Sequence, residues 1–147
     1  MDYSIKKLSL TDVKLAKELI RLWQAEDGMQ HSATPNVDYL ADLLSRDSFH
    51  VYVALMDNVV VGGLSGYELP MFPEEVTEMF LYEIGVDEGH RKNGIASMLI
   101  DALKETCKIK GIKIIFVGTS TDNKPAIKLY KSTGGVMEEI PWFTYQL

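Results

Sequence analysis

The sequence predicts a single α/β domain over residues 1–147, in which a mixed central sheet is flanked by four helices. The length suits one domain, and the composition, 46% hydrophobic and 24% charged, is that of a globular protein with a full core. Segments of strand-like and helical periodicity follow one another in the order β-α-α-β-β-β-α-β-α-β-β. This order combines a hairpin meander with strand-helix-strand crossovers, which indicates antiparallel and parallel pairing in one sheet.

The first third of the chain predicts one strand and two helices. Residues 3–8 alternate between apolar and polar side chains, as a half-buried strand does. Thr11 can then cap a helix whose leucines recur at helical spacing and which ends near Gly28. A looser stretch leads through Pro35 to a second helix, whose apolar residues over 37–44 share one side.

Three strands are predicted next. Residues 49–56 and 59–67 form a hairpin around the tight turn at Asp57-Asn58. Residues 77–86 follow as a long and mostly apolar strand, which predicts burial on both faces in the middle of the sheet.

The remaining elements alternate again. Residues 95–110 have helical periodicity, residues 113–117 predict a strand, and residues 123–133 predict the last helix. Residues 136–147 are expected to hold two short terminal strands that turn at Pro141.

The net charge of −6 is unevenly distributed and argues against general nucleic-acid binding, which needs a basic surface. Residues 1–50 carry −2, residues 51–90 carry −8 without a lysine or arginine, and residues 91–147 carry +4. This asymmetry predicts an acidic wall that faces a cationic ligand and a basic wall that faces an anionic one. The alternative is charge clustering on a solvated surface.

Several classes of protein are disfavoured. Cys107 is the only cysteine, so no internal disulfide is expected, and the cytoplasm is the expected compartment. No apolar stretch approaches the roughly 18 residues of a membrane span, and residues 1–7 do not resemble a signal peptide. The three histidines are scattered without ligand spacing, so no metal site is predicted.

Residues 91–96 (RKNGIA) lie between the long apolar strand and an amphipathic helix. Free backbone N–H groups and the helix dipole favour an anion at such a turn. Gly94 lets the backbone approach a ligand, Ala96 avoids crowding it, and Arg91 and Lys92 add positive charge. The alternative is an ordinary strand-to-helix turn with basic surface side chains.

A second motif covers residues 123–130 (NKPAIKLY). Two helical turns separate Asn123 from Tyr130, so both lie on one face, and Ala126 permits a bulky group to pass close by. A phenol at this place could donate a proton, whereas core packing or a hydroxyl bound to backbone is the alternative.

Together these two motifs resemble the acetyl-CoA-binding motifs of the GNAT superfamily of N-acetyltransferases. Four further segments look like the small aminoglycoside 3-N-acetyltransferases of the gentamicin and fortimicin group: residues 38–40, 67–70, 82–86 and 89–96. The resemblance covers most of residues 37–134. It implies a GNAT-like fold, acetyl-CoA as co-substrate and direct acetyl transfer to a primary amine, and a homodimer is common among similar enzymes.

The resemblance also implies where acetyl-CoA binds. It would lie between strands 77–86 and 113–117, which splay apart in this superfamily, with its pyrophosphate on the amides of residues 91–96. The implied cofactor-binding residues are Ile84, Gly85, Val86, Arg91, Lys92, Asn93, Gly94, Ile95, Ala96, Ser97, Asn123 and Tyr130. Tyr130 would also protonate the departing thiolate, and the amide near Val86 would support the oxyanion.

Glu83 is the predicted general base. A carboxylate in so apolar a strand costs free energy unless it is paired or functional. Partial burial would raise its pKa toward the working pH, which suits proton removal from an ammonium group, directly or through water. The resembled enzymes usually have an aspartate here, so the longer Glu83 displaces the carboxylate. The alternative is a structural ion pair at the end of the sheet.

Acidic residues near the central strand suggest a cationic acceptor, because they would attract a polycation. The predicted substrate-binding residues are Glu68, Glu74, Glu75, Glu78 and Asp122. They favour an aminoglycoside 3-amino group as acceptor, although Lys124 would repel a cationic sugar. A polyamine, another small amine or a peptide amine is the alternative acceptor, and a non-catalytic acyl-CoA-binding regulator is the alternative function.

Overall fold

The computed structural model describes residues 2–147 and has the predicted α/β architecture. The sheet contains β1 (Ser4–Lys7), β2 (Phe49–Met56), β3 (Val59–Pro70), β4 (Thr77–Val86) and β5 (Ile115–Phe116), in that spatial order. The helices are α1 (Val13–Glu26), α2 (Val37–Ser45), α3 (Ile95–Lys110) and α4 (Lys124–Ser132), with a 3₁₀ turn over Glu88–His90. Neighbouring strands are antiparallel except β4 and β5, which run parallel on either side of the α3 crossover.

Local sequence chemistry explains where most elements begin and end. Asp57 and Asn58 both have positive φ, 51° and 64°, which is the backbone of the tight turn predicted between β2 and β3. Gly111 ends α3 in the left-handed conformation, with its N–H bonded to the Lys108 carbonyl. The first helix starts one residue beyond the predicted cap, because Asp12 occupies the N-cap position.

The two faces of the sheet carry separate apolar cores. Residues alternate along β2, so Val51 and Val53 face α1 and α2, whereas Tyr52 and Ala54 face α3. Helix α4 packs on the α3 face through Leu129. Among the helices of the described residues, none has the length and apolar character needed to cross a membrane.

Strand β4 contains one extra residue. Ser65 of β3 pairs with Glu83, but the adjacent Gly66 pairs with Leu81, which leaves Tyr82 as the unpaired residue of a β-bulge. Bulges of this kind change which face of a sheet the following side chains occupy.

The bulge determines the face on which Glu83 lies. Met79 and Leu81 face the α3 core before the bulge, and Ile84 and Val86 pack on the same core after it. Strict alternation would carry Glu83 into that core, whereas the extra residue places it on the α1 and α2 face. The expected burial of β4 on both faces is therefore wrong for its second half, where Glu83 is exposed to solvent.

Strands β4 and β5 separate after two residue pairs, Met79 with Ile115 and Phe80 with Phe116. Beyond Phe80, the edge of β4 that faces away from β3 has no partner strand in residues 2–147. The splay implied by the family resemblance is thus present in this fold. It leaves an open backbone edge inside the sheet.

The prediction of two strands within residues 136–147 is wrong for the single chain. The structure places no strand there, and no backbone hydrogen bond of the described chain involves these residues. Phe143 and Tyr145 are 79% and 88% exposed. The segment contains residues that favour strands, but a strand needs a partner to form hydrogen bonds with. The neighbouring edge strand β5 has only two residues.

A charged network lies on the α3 face, beneath the end of β3. The Glu68 carboxylate accepts from His50 Nε2 at 2.6 Å and from Lys110 Nζ at 2.5 Å, and Lys110 also binds Asp47 at 2.8 Å. Burial lowers the pKa of His50, so its ring is neutral at pH 7 and donates to Glu68. Burial opposes ionisation of Glu68, but hydrogen bonds from Lys110 and His50 outweigh it and hold the pKa of Glu68 below 4.5.

We expect Glu68→Gln to lower the free energy of unfolding at pH 7 by about 1–3 kcal/mol, because Lys110 and His50 lose a charged acceptor. Since the folded-state pKa of Glu68 is lowered, this difference is full above pH 4.5 and disappears as the pH falls through that lowered pKa. Urea denaturation over a pH series measures it. The exposed Glu74→Gln is the control and should stay within about 0.5 kcal/mol of wild type. Unchanged stability of Glu68→Gln at pH 7 would contradict the structural role of this network.

Candidate active site

Glu83 lies on the face of the sheet that carries α1 and α2, and a cleft exposes it to solvent. Its Oε1 atom accepts a long hydrogen bond of 3.5 Å from the Ser65 hydroxyl, and no cation of the described chain pairs with it. Loss of hydration between the cleft walls raises the pKa of Glu83, and the charge of Asp27 raises it further, against the lowering effect of Ser65. Within residues 2–147, therefore, no ion pair accounts for this carboxylate.

Glu83 is part of a cavity of about 410 Å³ between the sheet, α1 and α2. Four aromatic side chains line it, together with aliphatic side chains of both helices: Trp23, Tyr39, Phe49 and Tyr67. Asp27 and Glu83 are the charged residues of the lining, and no lysine, arginine or histidine of residues 2–147 belongs to it. Such a lining suits an organic cation with a ring or chain body.

A continuous row of aromatic rings connects this cavity with the place where β4 and β5 separate. Tyr67 contacts Phe49 and Tyr82, with ring centroids 4.9 and 5.6 Å apart, respectively. Tyr82 in turn contacts Phe80 at 5.3 Å, and Phe80 stacks on Phe116 at 4.7 Å. The cavity and the open edge of β4 therefore adjoin each other on one face of the sheet.

The open edge of β4 presents hydrogen-bonding groups. The N–H of Asp87 donates to Val61 of β3 at 2.8 Å, so the preceding N–H, that of Val86, points away from β3. An extended amide ligand in the gap between β4 and β5 would meet this donor. The Val86 carbonyl is already engaged, because Arg91 Nε donates to it at 3.1 Å.

Gly85, one of the implied cofactor-binding residues, also has a packing role. Trp23 Nε1 donates to the Gly85 carbonyl at 3.4 Å. A Cβ atom at position 85 would lie 2.7 Å from Trp23 Nε1, so only glycine permits the indole to lie against β4. Glycine here fixes one wall of the cavity.

The turn before α3 has the geometry of an anion site. Gly94 is the N-cap with φ 77° and offers no side chain, so the first N–H groups of α3 lack a capping partner. Nothing lies within 4 Å of the place where its Cβ would be, which leaves the turn open. Asn93 Nδ2 donates to two preceding carbonyls at 3.0 and 3.1 Å and holds the loop in shape. These features fit the pyrophosphate of acetyl-CoA.

Arg91, predicted to add positive charge to the turn, already has partners within the protein. Its guanidinium forms an ion pair with Glu26 at 2.6 Å, in addition to the bond to the Val86 carbonyl. The other oxygen of Glu26 accepts from the Glu88 N–H at 3.2 Å, so α1 is tied to the loop. Lys92, exposed and without an ion pair in the described chain, supplies the free positive charge of the turn.

Asn123 and Tyr130 have distinct environments on α4. The Asn123 side chain accepts from the Ala126 N–H at 3.2 Å and caps the helix, which accounts for this residue without a ligand. Tyr130 packs against the same apolar cluster as Ile84 and Val86. Burial raises the pKa of its phenol, so the hydroxyl keeps its proton at neutral pH.

The acids predicted to bind substrate are not brought together. None of the five lines the cavity. Glu68 is in the charged network on the opposite face of the sheet. The others lie in the exposed β3–β4 connection (Glu74 and Glu75), on β4 (Glu78) and in the loop before α4 (Asp122). Asp27, which was not predicted as a site residue, does line it. The available signal was an acid at a helix C-terminus, where the dipole disfavours it.

Comparisons with known proteins agree with this geometry. A model of the acetyltransferase (GNAT) family matches residues 16–134. Aminoglycoside acetyltransferase HMB0005, from an uncultured soil metagenomic sample, is 34% identical, with 100% of this chain and 99% of that chain covered and a TM-score of 0.95. Aminoglycoside acetyltransferase meta-AAC0020, from a similar sample and in complex with sisomicin, is 31% identical, with 99% and 96% covered and a TM-score of 0.93.

A bacterial relative extends the same pattern. The uncharacterized N-acetyltransferase YycN of Bacillus subtilis is 28% identical over 130 residues, which cover 86% of this chain and 82% of that protein. GNAT acetyltransferases use acetyl-CoA, and the loop before α3 and the open edge of β4 fit that co-substrate. This chain therefore belongs to the acetyltransferase (GNAT) family and is an acetyl-CoA-dependent N-acetyltransferase.

Proposed function

We propose that the acceptor is an aminoglycoside, acetylated at the 3-amino group that the sequence resemblance implies. The observation that carries this proposal is the cavity beside the open edge of β4, with aromatic walls, the carboxylates of Asp27 and Glu83, and no basic side chain among its described lining residues. An aminoglycoside combines ring bodies with several ammonium groups, which matches that lining. The sisomicin complex of a 31% identical relative supports the same class of acceptor.

The reaction that we propose is direct transfer without a covalent enzyme intermediate. Acetyl-CoA, when bound, supplies a thioester-activated acetyl group. Glu83 accepts a proton from the acceptor ammonium, directly or through water, so that the neutral amine forms an N–C bond as the C–S bond breaks. The Val86 N–H at the open edge supports the oxyanion, and Tyr130 gives its phenol proton to the departing thiolate.

A screen for release of free thiol tests the acceptor class. The wild-type protein should release CoA with gentamicin, fortimicin and sisomicin, and NMR of the gentamicin product should place the new amide at the 3-amino nitrogen. Spermidine and a lysine-containing peptide are the comparison amines and should react more slowly, because they lack the rings that the aromatic walls would contact. Turnover of peptide or spermidine with no aminoglycoside acetylated would overturn this acceptor and leave the acetyltransferase activity in place.

Glu83→Gln and Tyr130→Phe should each lower kcat by about 10²–10⁴ while acetyl-CoA affinity, measured by calorimetry, is largely kept. In the wild type, activity should fall as the pH falls through the pKa of Glu83, which lost hydration between the cleft walls raises above 4.5, since the protonated carboxyl accepts no proton. Glu83→Gln should lose this acidic limb. The control is Glu78→Gln, a carboxylate of the same strand outside the cavity. Full activity of both active-site variants would leave substrate positioning as the main catalytic effect.

We also propose that the enzyme is a homodimer in which a second copy covers residues 136–147. The support is the exposed apolar character of this segment and its lack of any backbone partner in residues 2–147. Trp142, Phe143 and Tyr145 are 72–88% exposed, which is unusual for so many neighbouring apolar side chains of a monomer. The short edge strand β5, with Phe116 37% exposed, offers the second copy a surface to extend.

Light scattering of the full chain should give the mass of a dimer. Phe143→Asp combined with Tyr145→Asp should give a monomer, because both side chains fall on one face of an extended segment and would be buried together. Thr144→Asp, on the opposite face, adds the same kind of charge and should remain a dimer. A monomeric wild type would contradict the proposed assembly.

A further inference from the structure

Asp27 occupies an electrostatically unfavourable position. It follows the last residue of α1, where the backbone carbonyls concentrate negative potential, and the last turn of this helix contains no basic residue. The neighbouring Glu26 is neutralised by Arg91 at 2.6 Å. Asp27 has no such compensation, because its carboxylate makes no hydrogen bond or ion pair within residues 2–147. Asp27 therefore departs from the usual preference for basic residues at a helix C-terminus, and no contact among the described residues compensates for it.

A second carboxylate shares the cavity with Asp27. Glu83 lines the same space, and the negative charge of Asp27 makes ionisation of Glu83 less favourable. Two acids without a counter-charge repel each other across a partly desolvated cavity. A ligand that carries positive charge near both would remove this repulsion, and no basic side chain among the described lining residues can do so.

The size and the walls of the cavity indicate what kind of cation fits. A volume of about 410 Å³ exceeds the needs of one ammonium group and suits a ring-sized body. Trp23, one helical turn before Asp27, supplies an aromatic wall and also contacts Gly85 of β4, and Ser65 and Tyr67 lie near Glu83 on the sheet. The two carboxylates belong to different parts of the fold, Asp27 to the C-cap of α1 and Glu83 to β4, so they would meet different groups of one ligand.

We propose that Asp27 is a specificity-determining residue, which binds a second ammonium group of the acceptor while Glu83 serves the amine that is acetylated. The enzyme would then select acceptors with two amino groups over single amines of the same shape. This inference rests on the proposed function and adds the residue that recognises the non-reacting part of the acceptor. It also explains why the protein retains an unneutralised acid at the end of α1.

Calorimetry with two matched probes tests this assignment independently of catalysis. The probes are a diaminocyclohexane and the aminocyclohexanol in which a hydroxyl group replaces one amino group. Wild type should bind the diamine at least about tenfold more tightly, and Asp27→Asn should lose this preference without weakening the aminoalcohol. Asp38→Asn is the control, because it removes an equal charge from α2 outside the cavity lining and should keep the preference.

Thermal unfolding of the ligand-free protein gives a second readout. Asp27→Asn should raise Tm by about 1–3 °C, because it removes a charge that both the α1 dipole and Glu83 disfavour. Asp38→Asn should not raise Tm, since Asp38 lies in the first turn of α2, where the dipole favours an acid. A stabilised variant that has lost diamine preference is the pattern of a residue retained for binding.

Three results would each overturn the role of Asp27: wild type binds the two probes equally, wild type binds neither probe, or Asp27→Asn keeps the preference for the diamine. A failure of the proposed function would give a different pattern of results. Diamine preference that depends on Asp27, without acetyl transfer to any aminoglycoside, would contradict the acceptor class and keep the assignment of Asp27. Aminoglycoside acetylation with no effect of Asp27→Asn on the probes would do the reverse.

Discussion

The extra residue in β4 is the constraint on which the rest of the site depends. A strand with strict alternation would bury Glu83 in the α3 core beside Met79 and Leu81, where an unpaired carboxylate costs several kcal/mol or is neutralised by protonation. Because Tyr82 is the unpaired residue of the bulge, Glu83 faces the cavity, while Ile84 and Val86 again face the α3 core. The strand therefore contributes to a core on one face and to a polar site on the other, without an internal charge that lacks a partner.

The separation of β4 from β5 occurs at the same part of β4 as the bulge. Because pairing stops after Phe80 and Phe116, the segment that follows the bulge has β3 on one side and an open edge on the other. Gly85, in this segment, lets Trp23 lie against the strand and fixes the cavity wall. The cavity and the open edge thus reach one strand from separate sides, and in the proposed reaction the acceptor would approach from the α1 and α2 face and acetyl-CoA from the open edge, as direct transfer requires.

Periodicity and turn chemistry predicted most of this fold, because local rules govern it. The Asp57-Asn58 turn, the stop at Gly111 and the open turn at Gly94 follow from residues that favour positive φ, and all are present. The β-bulge could not be predicted, since no single residue type encodes an extra position in a strand. Residues 136–147 have strand-like composition, but strand formation needs a partner, which one copy of the chain does not provide. The acids near the central strand do not share the cavity of Glu83, because sequence proximity does not determine the face of the sheet.

Glu68 and Glu83 show how one sheet gives two carboxylates opposite properties. Glu68 lies against Lys110 and His50, and these hydrogen bonds keep its pKa low and its charge permanently satisfied. Glu83 faces aromatic walls and a second acid, Asp27, with Ser65 as its hydrogen-bond donor, so its pKa is raised. A stabilising carboxylate has to remain ionised, whereas a general base, the role proposed for Glu83, has to exchange protons near the working pH. The sheet separates the two carboxylates, so Lys110 pairs with Glu68 and does not neutralise Glu83.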